Sequence, residues 1–219
     1  MAAFTSEGNK KNPNIHKNSQ EFRLCSLFLK EFKIGLLPYL DQLKGESVHH
    51  SLMKLFMEIK GLDRSSKFGE AEVYKGLQTE KGATLLRQFV FNRYARICTQ
   101  IGNPQIDREQ LSVEWSSFAP QRLSFPKLAT HGELSVLLLV YHPNQALFRT
   151  YQSKVYRFSK EDTAEAVRLT VDGPTAPEDD ALFIFVGGLK FIEVWNDAEY
   201  DILGRTGFGM EVLGVVERC

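Results

Sequence analysis

The sequence predicts an α+β protein in which a polar N-terminal arm and a helical hairpin precede an antiparallel β-sandwich of immunoglobulin-like or jelly-roll-like type. In the first part of the chain, apolar residues recur at three- and four-residue spacing, as they do on one face of a helix. Short strand-like segments separated by turn residues fill the second part. Helical and strand-like patterns do not alternate, which argues against a parallel sheet built from βαβ units.

These patterns divide the 219 residues into three parts. Residues 1–18 are rich in Asn, Lys, Ser and Gly, a composition that predicts a flexible polar arm. Residues 19–82 predict the helical hairpin with a connector. Residues 83–219 predict the antiparallel β-sandwich domain.

The first helix is predicted to begin near Asn18, which together with Glu21 has the spacing of a capping box. Pro38 is expected to interrupt this helix near its end, and Gly45 is expected to stop it. The residues predicted to form its apolar face are Phe22, Cys25, Phe28, Leu29, Phe32, Leu36 and Leu40.

A second helix is predicted from Ser47 to Lys60, followed by a short helix around Glu70 to Leu77. After Gly82 the pattern becomes β-like, beginning with short apolar runs at Phe89–Phe91 and Ala95–Ile101. Longer strand-like segments follow at Gln110–Trp115, Glu133–His142, Phe148–Phe158, Ala166–Val171, Ala181–Val186, Lys190–Trp195 and Gly209–Val216.

Composition and charge exclude several classes of protein. Hydrophobic residues make up 43% and charged residues 25% of the chain, which argues against collagen-like, low-complexity and wholly disordered proteins. Because 27 basic residues balance 27 acidic ones, nucleic acid and anionic lipid are disfavoured as main partners. The most apolar stretch, Leu134 to Tyr141, is about half as long as a bilayer-spanning helix, so no membrane span is expected.

The polar start, Met1 to Ser19, lacks the apolar segment of a secretory signal peptide. Cys25, Cys98 and Cys219 are an odd number of cysteines without a CxxC pair, so no disulfide framework is expected. We therefore expect a cytoplasmic location, although the interior of a virion or of another assembly fits the same features.

No motif in the sequence assigns a catalytic, cofactor-binding or metal-binding residue, and no cofactor is expected. His131 and the pair His49-His50 lack the spacing of zinc ligands. The glycine cluster Gly204–Gly209 precedes a strand-like segment rather than a helix, so it predicts a turn and not a phosphate-binding loop. Cys25 and Cys98 lie in apolar patterns and are expected in the core.

Charge is distributed unevenly along the chain. Residues 1–104 carry 16 Lys and Arg against 10 Asp and Glu, a net charge of +6, whereas residues 105–219 carry 11 against 17, a net charge of −6. This partition predicts a non-enzymatic assembly protein that self-associates or docks in a larger complex. The residues expected to interact are basic in the arm and acidic in the β domain: Lys10, Lys11, Lys17, Arg23, Glu178, Asp179 and Asp180.

Two other functions stay open. A ligand-binding β module, for carbohydrate for example, requires exposed aromatic residues such as Trp115, Trp195 or Tyr200 on one concave face. A hydrolase of unrecognised type requires a cleft in which His131 meets acidic or hydroxyl side chains.

Arginines that flank aromatic residues add a weaker indication of single-stranded nucleic acid. Arg87, Arg93 and Arg96 lie close to Phe89, Phe91 and Tyr94, a pattern compatible with base stacking. A half-buried strand has the same alternation, so the pattern by itself does not distinguish the two.

Three short segments occur in this order: Phe89-Val90-Phe91-Asn92, the run from Phe125 to His131, and the run from Gly188 to Phe191 that continues through Glu193, Asn196 and Tyr200. Together with a polar N-terminus that leads into an amphipathic helix, they resemble a family of proteins of unknown function common in Bacteroidota genomes. The resemblance implies a single recurring architecture, helical at the N-terminus and β-rich after it. It brings no activity and no catalytic residue.

Overall fold

A computed structural model of the chain describes residues 13–43, 48–92, 96–174, 180–196 and 198–217. The α-helices of this part are α1 (Pro13–Gly35), α2 (Leu37–Leu40), α3 (His49–Lys60), α4 (Val73–Leu77), α5 (Glu80–Arg87) and α6 (Ile97–Ile101), and a short 3-10 helix spans Pro120–Arg122. The strands are β1 (Gln105–Asp107), β2 (Ser112–Phe118), β3 (His131–His142), β4 (Leu147–Gln152), β5 (Tyr156–Ser159), β6 (Glu165–Thr170), β7 (Leu182–Trp195), β8 (Ala198–Asp201) and β9 (Phe208–Glu217).

The strands form two sheets in which all described pairings are antiparallel. The smaller sheet has the order β1-β2-β6. In the larger, six-stranded sheet, β3 and β7 lie side by side at the centre. Strands β4 and β5 pair with the outer edge of β3, and β8 and β9 pair with the outer edge of β7. The chain is therefore an α+β protein with antiparallel sheets, as predicted.

The six-stranded sheet is covered on both faces. Leu137 and Leu139 of β3 pack with apolar residues of the helices, whereas Val136 and Leu138 pack with residues of the smaller sheet. Successive side chains of a strand point to opposite faces, so β3 and β7 are apolar nearly throughout. The helices and the larger sheet share one apolar cluster, and this cluster fixes where the helical part sits on the sheet.

The first helix begins at Pro13 instead of near Asn18, so residues 13–18 are helical. Proline is favourable in the first turn of a helix, where its missing N–H has no helical acceptor. The predicted capping box is wrong because the Glu21 carboxylate accepts hydrogen bonds from Lys60 and from the amide of Gly69.

The inner face of α1 also differs from the prediction at one position. Glu21 is 5% exposed and lies on this face, whereas Phe22 is 51% exposed. The interruption expected near Pro38 is confirmed, since α1 ends at Gly35 and the short α2 follows. The second helix is confirmed from His49 to Lys60, and the predicted helix stop at Gly45 lies outside the described residues.

Two segments predicted as β-like are not strands. In the run predicted from Ala95 to Ile101, residues 97–101 form helix α6, in which the buried Ile97 and Ile101 lie one turn apart. Residues 89–91 form no strand, because α5 extends to Arg87 and the chain then turns. Short apolar runs of this kind do not distinguish a helix from a strand.

The two strands predicted at Ala181–Val186 and Lys190–Trp195 are one continuous strand, β7. Gly187 and Gly188 lie between the two predicted strands and do not end β7, because their lack of a side chain leaves room for neighbouring side chains. A Cβ atom at Gly188 would lie 2.5 Å from the ring of Tyr39, whose hydroxyl group is hydrogen-bonded to Ser135 at 2.8 Å.

The strand predicted from Phe148 to Phe158 is divided into β4 and β5. Ser153 lies at the division, where its hydroxyl oxygen accepts the amide of Val136 at 3.0 Å. Ser153 also forms an isolated bridge to Val171, which links the two sheets. Both strands pair antiparallel with β3, and the division inserts one extra residue, since four steps from Gln152 to Tyr156 oppose three steps from Leu137 to Leu134.

Candidate functional site

The structure describes three of the seven predicted interaction residues. Lys17 and Arg23 are exposed on α1, and Asp180 is exposed just before β7. The other four lie outside the described residues: Lys10, Lys11, Glu178 and Asp179. Within the described ranges, no hydrogen bond or ion pair joins Lys17 or Arg23 to Asp180, so the structure does not bring them together within one chain.

Lys17 has a structural contact within its own chain. Its ammonium nitrogen lies 5.5 Å from the centroid of the Phe68 ring, a distance typical of a cation–π interaction. A Cβ atom at Gly69 would lie 2.9 Å from Lys17 Cγ, so the glycine allows the loop to approach the helix. Arg23 is therefore the freer of the two described basic residues.

Two aromatic side chains are exposed on one face of the hairpin formed by β7 and β8. Trp195 is 64% exposed and Tyr200 is 53% exposed. Trp195 pairs with Ala198 and Glu193 pairs with Tyr200, so Glu193, Trp195 and Tyr200 point to the same side of the sheet. We call this surface the aromatic face. Large exposed aromatic residues of this kind mark candidate binding surfaces.

The local sequence explains how this hairpin forms. Asn196 follows Trp195 with a positive φ of 49°, a conformation that Asn tolerates better than most residues and that two-residue hairpin turns require. Thr130 anchors β7 next to the turn, because its hydroxyl oxygen accepts the amide of Val194 at 2.9 Å and its own amide donates to Ile192 at 3.0 Å. The aromatic face therefore lies on a hydrogen-bonded support.

The third aromatic candidate, Trp115, does not belong to this surface. It is 2% exposed and packs against Phe118 in the core between the two sheets. Its indole N–H donates to the carbonyl of Gly102 at 3.2 Å. Two of the three aromatic residues singled out for a ligand-binding module are thus exposed, and one is structural.

His131 is half-buried at the start of β3, where hydroxyl and acidic residues surround it. Its Nδ1 lies 2.9 Å from the hydroxyl of Thr130, and its cross-strand partner is Ser159. The hydroxyl of Ser159 donates to Asp162 at 2.8 Å instead of facing the imidazole. The amide and hydroxyl of Ser159 hold the pKa of Asp162 below its ordinary value. These bonds stabilise a turn, and the hydroxyl within hydrogen-bond distance of His131 is that of Thr130, which also accepts the amide of Val194.

The described cysteines have the surroundings of core residues. Cys25 is buried, its thiol lies 3.7 Å from the sulfur of Met53, and burial raises its pKa to about 11. Cys98 is half-buried, and burial together with the carboxylate of Glu211 raises its pKa to about 12. Both thiols therefore stay protonated at neutral pH. Cys98 lies on a helix and not on the strand that was expected.

The glycine cluster forms a turn that leads into β9, as predicted. Gly204 has a φ of 96°, and a Cβ atom at Gly207 would lie 1.6 Å from the carbonyl oxygen of Ile202. A cavity of about 250 Å³ lies beside this turn, where Lys190 and Asp201 form an ion pair of 2.7 Å. No helix begins after the turn, so the geometry of a phosphate-binding loop is missing.

In the part of the chain that the structure describes, no three His, Cys, Asp or Glu side chains come close enough to hold a metal ion. No helix of that part is both long and apolar enough to cross a membrane. Comparisons with protein-family models, with curated proteins and with solved structures gave no significant match to this chain. The resemblance to the Bacteroidota family stays a prediction.

Proposed function

We propose that this chain is a non-enzymatic assembly protein that self-associates, or docks in a larger complex, through its basic N-terminal arm and its acidic β domain. The observation that carries the proposal is the partition of charge, +6 in residues 1–104 and −6 in residues 105–219. A basic segment of one copy attracts the acidic surface of another, and such a head-to-tail contact can repeat.

The exposure of the described members of both groups supports this proposal. Arg23 on α1 and Asp180 before β7 are exposed, and neither has an ion-pair partner among the described residues. Charges in this state are available to a second molecule. We further propose that the fold is a helical hairpin docked on an immunoglobulin-like or jelly-roll-like sandwich. We also propose that the protein is located in the cytoplasm or inside an assembly.

Light scattering coupled to size-exclusion chromatography tests the proposal at about 0.01 M and about 1 M salt, between which the screening length falls from about 30 Å to about 3 Å. We expect an associated species at low salt and a monomer at high salt. Deletion of residues 1–12 removes none of the described residues of α1, Pro13–Gly35, and it is expected to reduce association at low salt.

The control removes two lysine charges from another surface, as the deletion does, although the deletion also removes Glu7. Lys54 on α3 and Lys81 on α5 are exposed, so the double variant Lys54→Gln, Lys81→Gln tests total charge without touching the arm. This control is expected to associate as the unmodified chain does. A monomer at both salt concentrations contradicts self-association, as does equal loss of association in the deletion and the control.

The aromatic face favours a second candidate function, a ligand-binding β module for carbohydrate. Trp195 and Tyr200 present exposed rings on one side of a hairpin, and flat aromatic rings pack well against apolar surfaces while keeping a polar group in water.

Intrinsic fluorescence tests carbohydrate binding during titration with oligosaccharides of glucose, of mannose and of N-acetylglucosamine. We expect a saturable emission change that Trp195→Ser removes and that Trp115→Phe retains. No response to any sugar, or a response that survives Trp195→Ser, contradicts this function.

A further inference from the structure

A polar cleft of about 350 Å³ lies between the end of α5, the start of α6 and strand β9. It is distinct from the aromatic face, since none of its residues belongs to β7 or β8. The residues that line it with polar side chains are Thr84, Arg87, Gln88, Arg96, Thr99, Asn103 and Glu211. Its floor carries one buried carboxylate, and its walls carry two arginines that the sequence places nine positions apart.

The buried carboxylate of Glu211 already has partners. Glu211 is 7% exposed, and one of its oxygens accepts the amide of Cys98 at 2.9 Å. Its other oxygen lies 3.8 Å from a guanidinium nitrogen of Arg96, which is an ion pair but too long for a hydrogen bond. The negative charge of the floor is therefore balanced by Arg96, and among the described residues Arg96 has no hydrogen-bond acceptor.

Arg87 adds a second positive charge to the same cleft. It is exposed in the last turn of α5, and it has no carboxylate partner among the described residues. Arg87 and Arg96 line the same cleft as Cys98, and both act electrostatically on its thiol. With Glu211 counted, the described residues of the cleft have a net charge of +1, and the cleft offers the N–H donors of two guanidinium groups.

We propose that this cleft binds a small ligand through an oxyanion group, either a phosphate or a carboxylate. A guanidinium group presents N–H donors in a planar fork that matches the oxygens of both groups. The hydroxyls of Thr84 and Thr99 and the amides of Gln88 and Asn103 add neutral donors around the same space. Arg87 makes the main contact with the ligand, because Arg96 is shared with Glu211.

The test is titration of the full chain, followed by amide NMR shifts at constant ionic strength, with inorganic phosphate in one arm and citrate in the other. Among the described residues, we expect saturable shifts confined to 84–92, 96–103 and 209–214. Saturation by phosphate alone assigns a phosphorylated ligand, and saturation by citrate alone assigns a carboxylate ligand. Both results support an oxyanion site.

Arg87→Gln separates a specific site from general attraction of anions, and among the described residues Arg87 has no hydrogen bond or ion pair for the change to remove. We expect it to weaken binding about tenfold or more, which corresponds to about 1.4 kcal/mol. The matched control is Arg122→Gln, the same change at an exposed arginine next to β2, and it is expected to leave binding unchanged. Absence of saturable shifts with both anions, or equal weakening by the two variants, overturns the proposal.

Discussion

A buried ion pair between Glu21 and Lys60 fixes α1 against α3. The two side chains are 7% and 12% exposed, and the Glu21 carboxylate also accepts the amide of Gly69 at 2.7 Å. Burial by itself raises the pKa of Glu21, but the bonds from Lys60 and from the amides of Gly69 and Ala71 outweigh this effect and hold the pKa below its ordinary value. One carboxylate thus joins two helices and the loop that follows them.

Replacement of Glu21 by Gln is expected to lower the free energy of unfolding by about 3 kcal/mol, because it leaves the ammonium group of Lys60 buried without a counter-charge. Urea denaturation measures this loss. The control is Glu31→Gln, since Glu31 pairs with the exposed Lys30 at 3.9 Å and such a surface pair contributes at most about 1 kcal/mol. Similar losses in the two variants would contradict a structural role for the buried pair.

The same carboxylate predicts how stability depends on pH. The folded-state pKa of Glu21 lies below its ordinary value of 4.5, so the folded state binds fewer protons than the unfolded state at acidic pH. Its contribution is complete above pH 4.5 and is lost as pH falls through the folded pKa. Urea denaturation at a series of acidic pH values is expected to show a smaller decline for Glu21→Gln than for the unmodified chain. An identical decline would show that Glu21 does not carry this effect.

At the scale of the elements, backbone contacts through glycines hold the short helices together. A Cβ atom at Gly76 of α4 would lie 2.0 Å from the carbonyl oxygen of Ile59 in α3. A Cβ atom at Gly82 of α5 would lie 2.0 Å from the carbonyl oxygen of Gly76. Helices α3, α4 and α5 are therefore packed more closely than side chains at these positions allow.

Gly76→Ala is expected to cost about 3 kcal/mol of stability, because the added methyl group meets backbone and not a flexible side chain. Thermal unfolding followed by circular dichroism measures this loss. Gly61→Ala is the matched control: Gly61 follows α3 with an ordinary φ of −63°, and the change is expected to alter stability by less than about 1 kcal/mol. A Gly76→Ala variant as stable as the control would contradict the close packing of these helices.

The α+β class and most strands could be predicted because periodicity reports which face of each element is buried. The element boundaries that were predicted wrongly depend on contacts between residues that are far apart in the sequence. Asn18 and Glu21 have the spacing of a capping box, yet Glu21 pairs with Lys60, 39 residues away. Gly188 looks like a strand end in the sequence, but it lies inside β7 because the Tyr39 ring occupies that face.

The candidate sites divide in the same way. Trp195 and Tyr200 could be selected from the sequence as aromatic residues near a turn, although the sequence did not distinguish them from the buried Trp115. The polar cleft could not be predicted, because it needs Glu211 beside Arg96. These residues are far apart in the sequence, and only the folded chain brings them together. Arginine spacing in the sequence suggested nucleic acid, whereas the structure places two of those arginines in one small cleft.

At the scale of the whole molecule, zero net charge results from a basic helical part and an acidic β part. The neutral total therefore does not argue against charged partners, since each part can meet one locally. A second copy of the chain supplies both charges in equal number. This complementarity is the central claim of the proposed assembly function.

Charge reversal with rescue tests this claim most directly, by sedimentation equilibrium at about 0.01 M salt, where the screening length is about 30 Å. One variant carries Lys10→Glu and Lys11→Glu, a second carries Asp179→Lys and Asp180→Lys, and a third combines all four changes. We expect each pair to weaken self-association about tenfold or more, which corresponds to about 1.4 kcal/mol, and the combined variant to recover it. Unchanged association in either pair, or a combined variant that associates as weakly as the separate pairs, would contradict self-association through complementary charge.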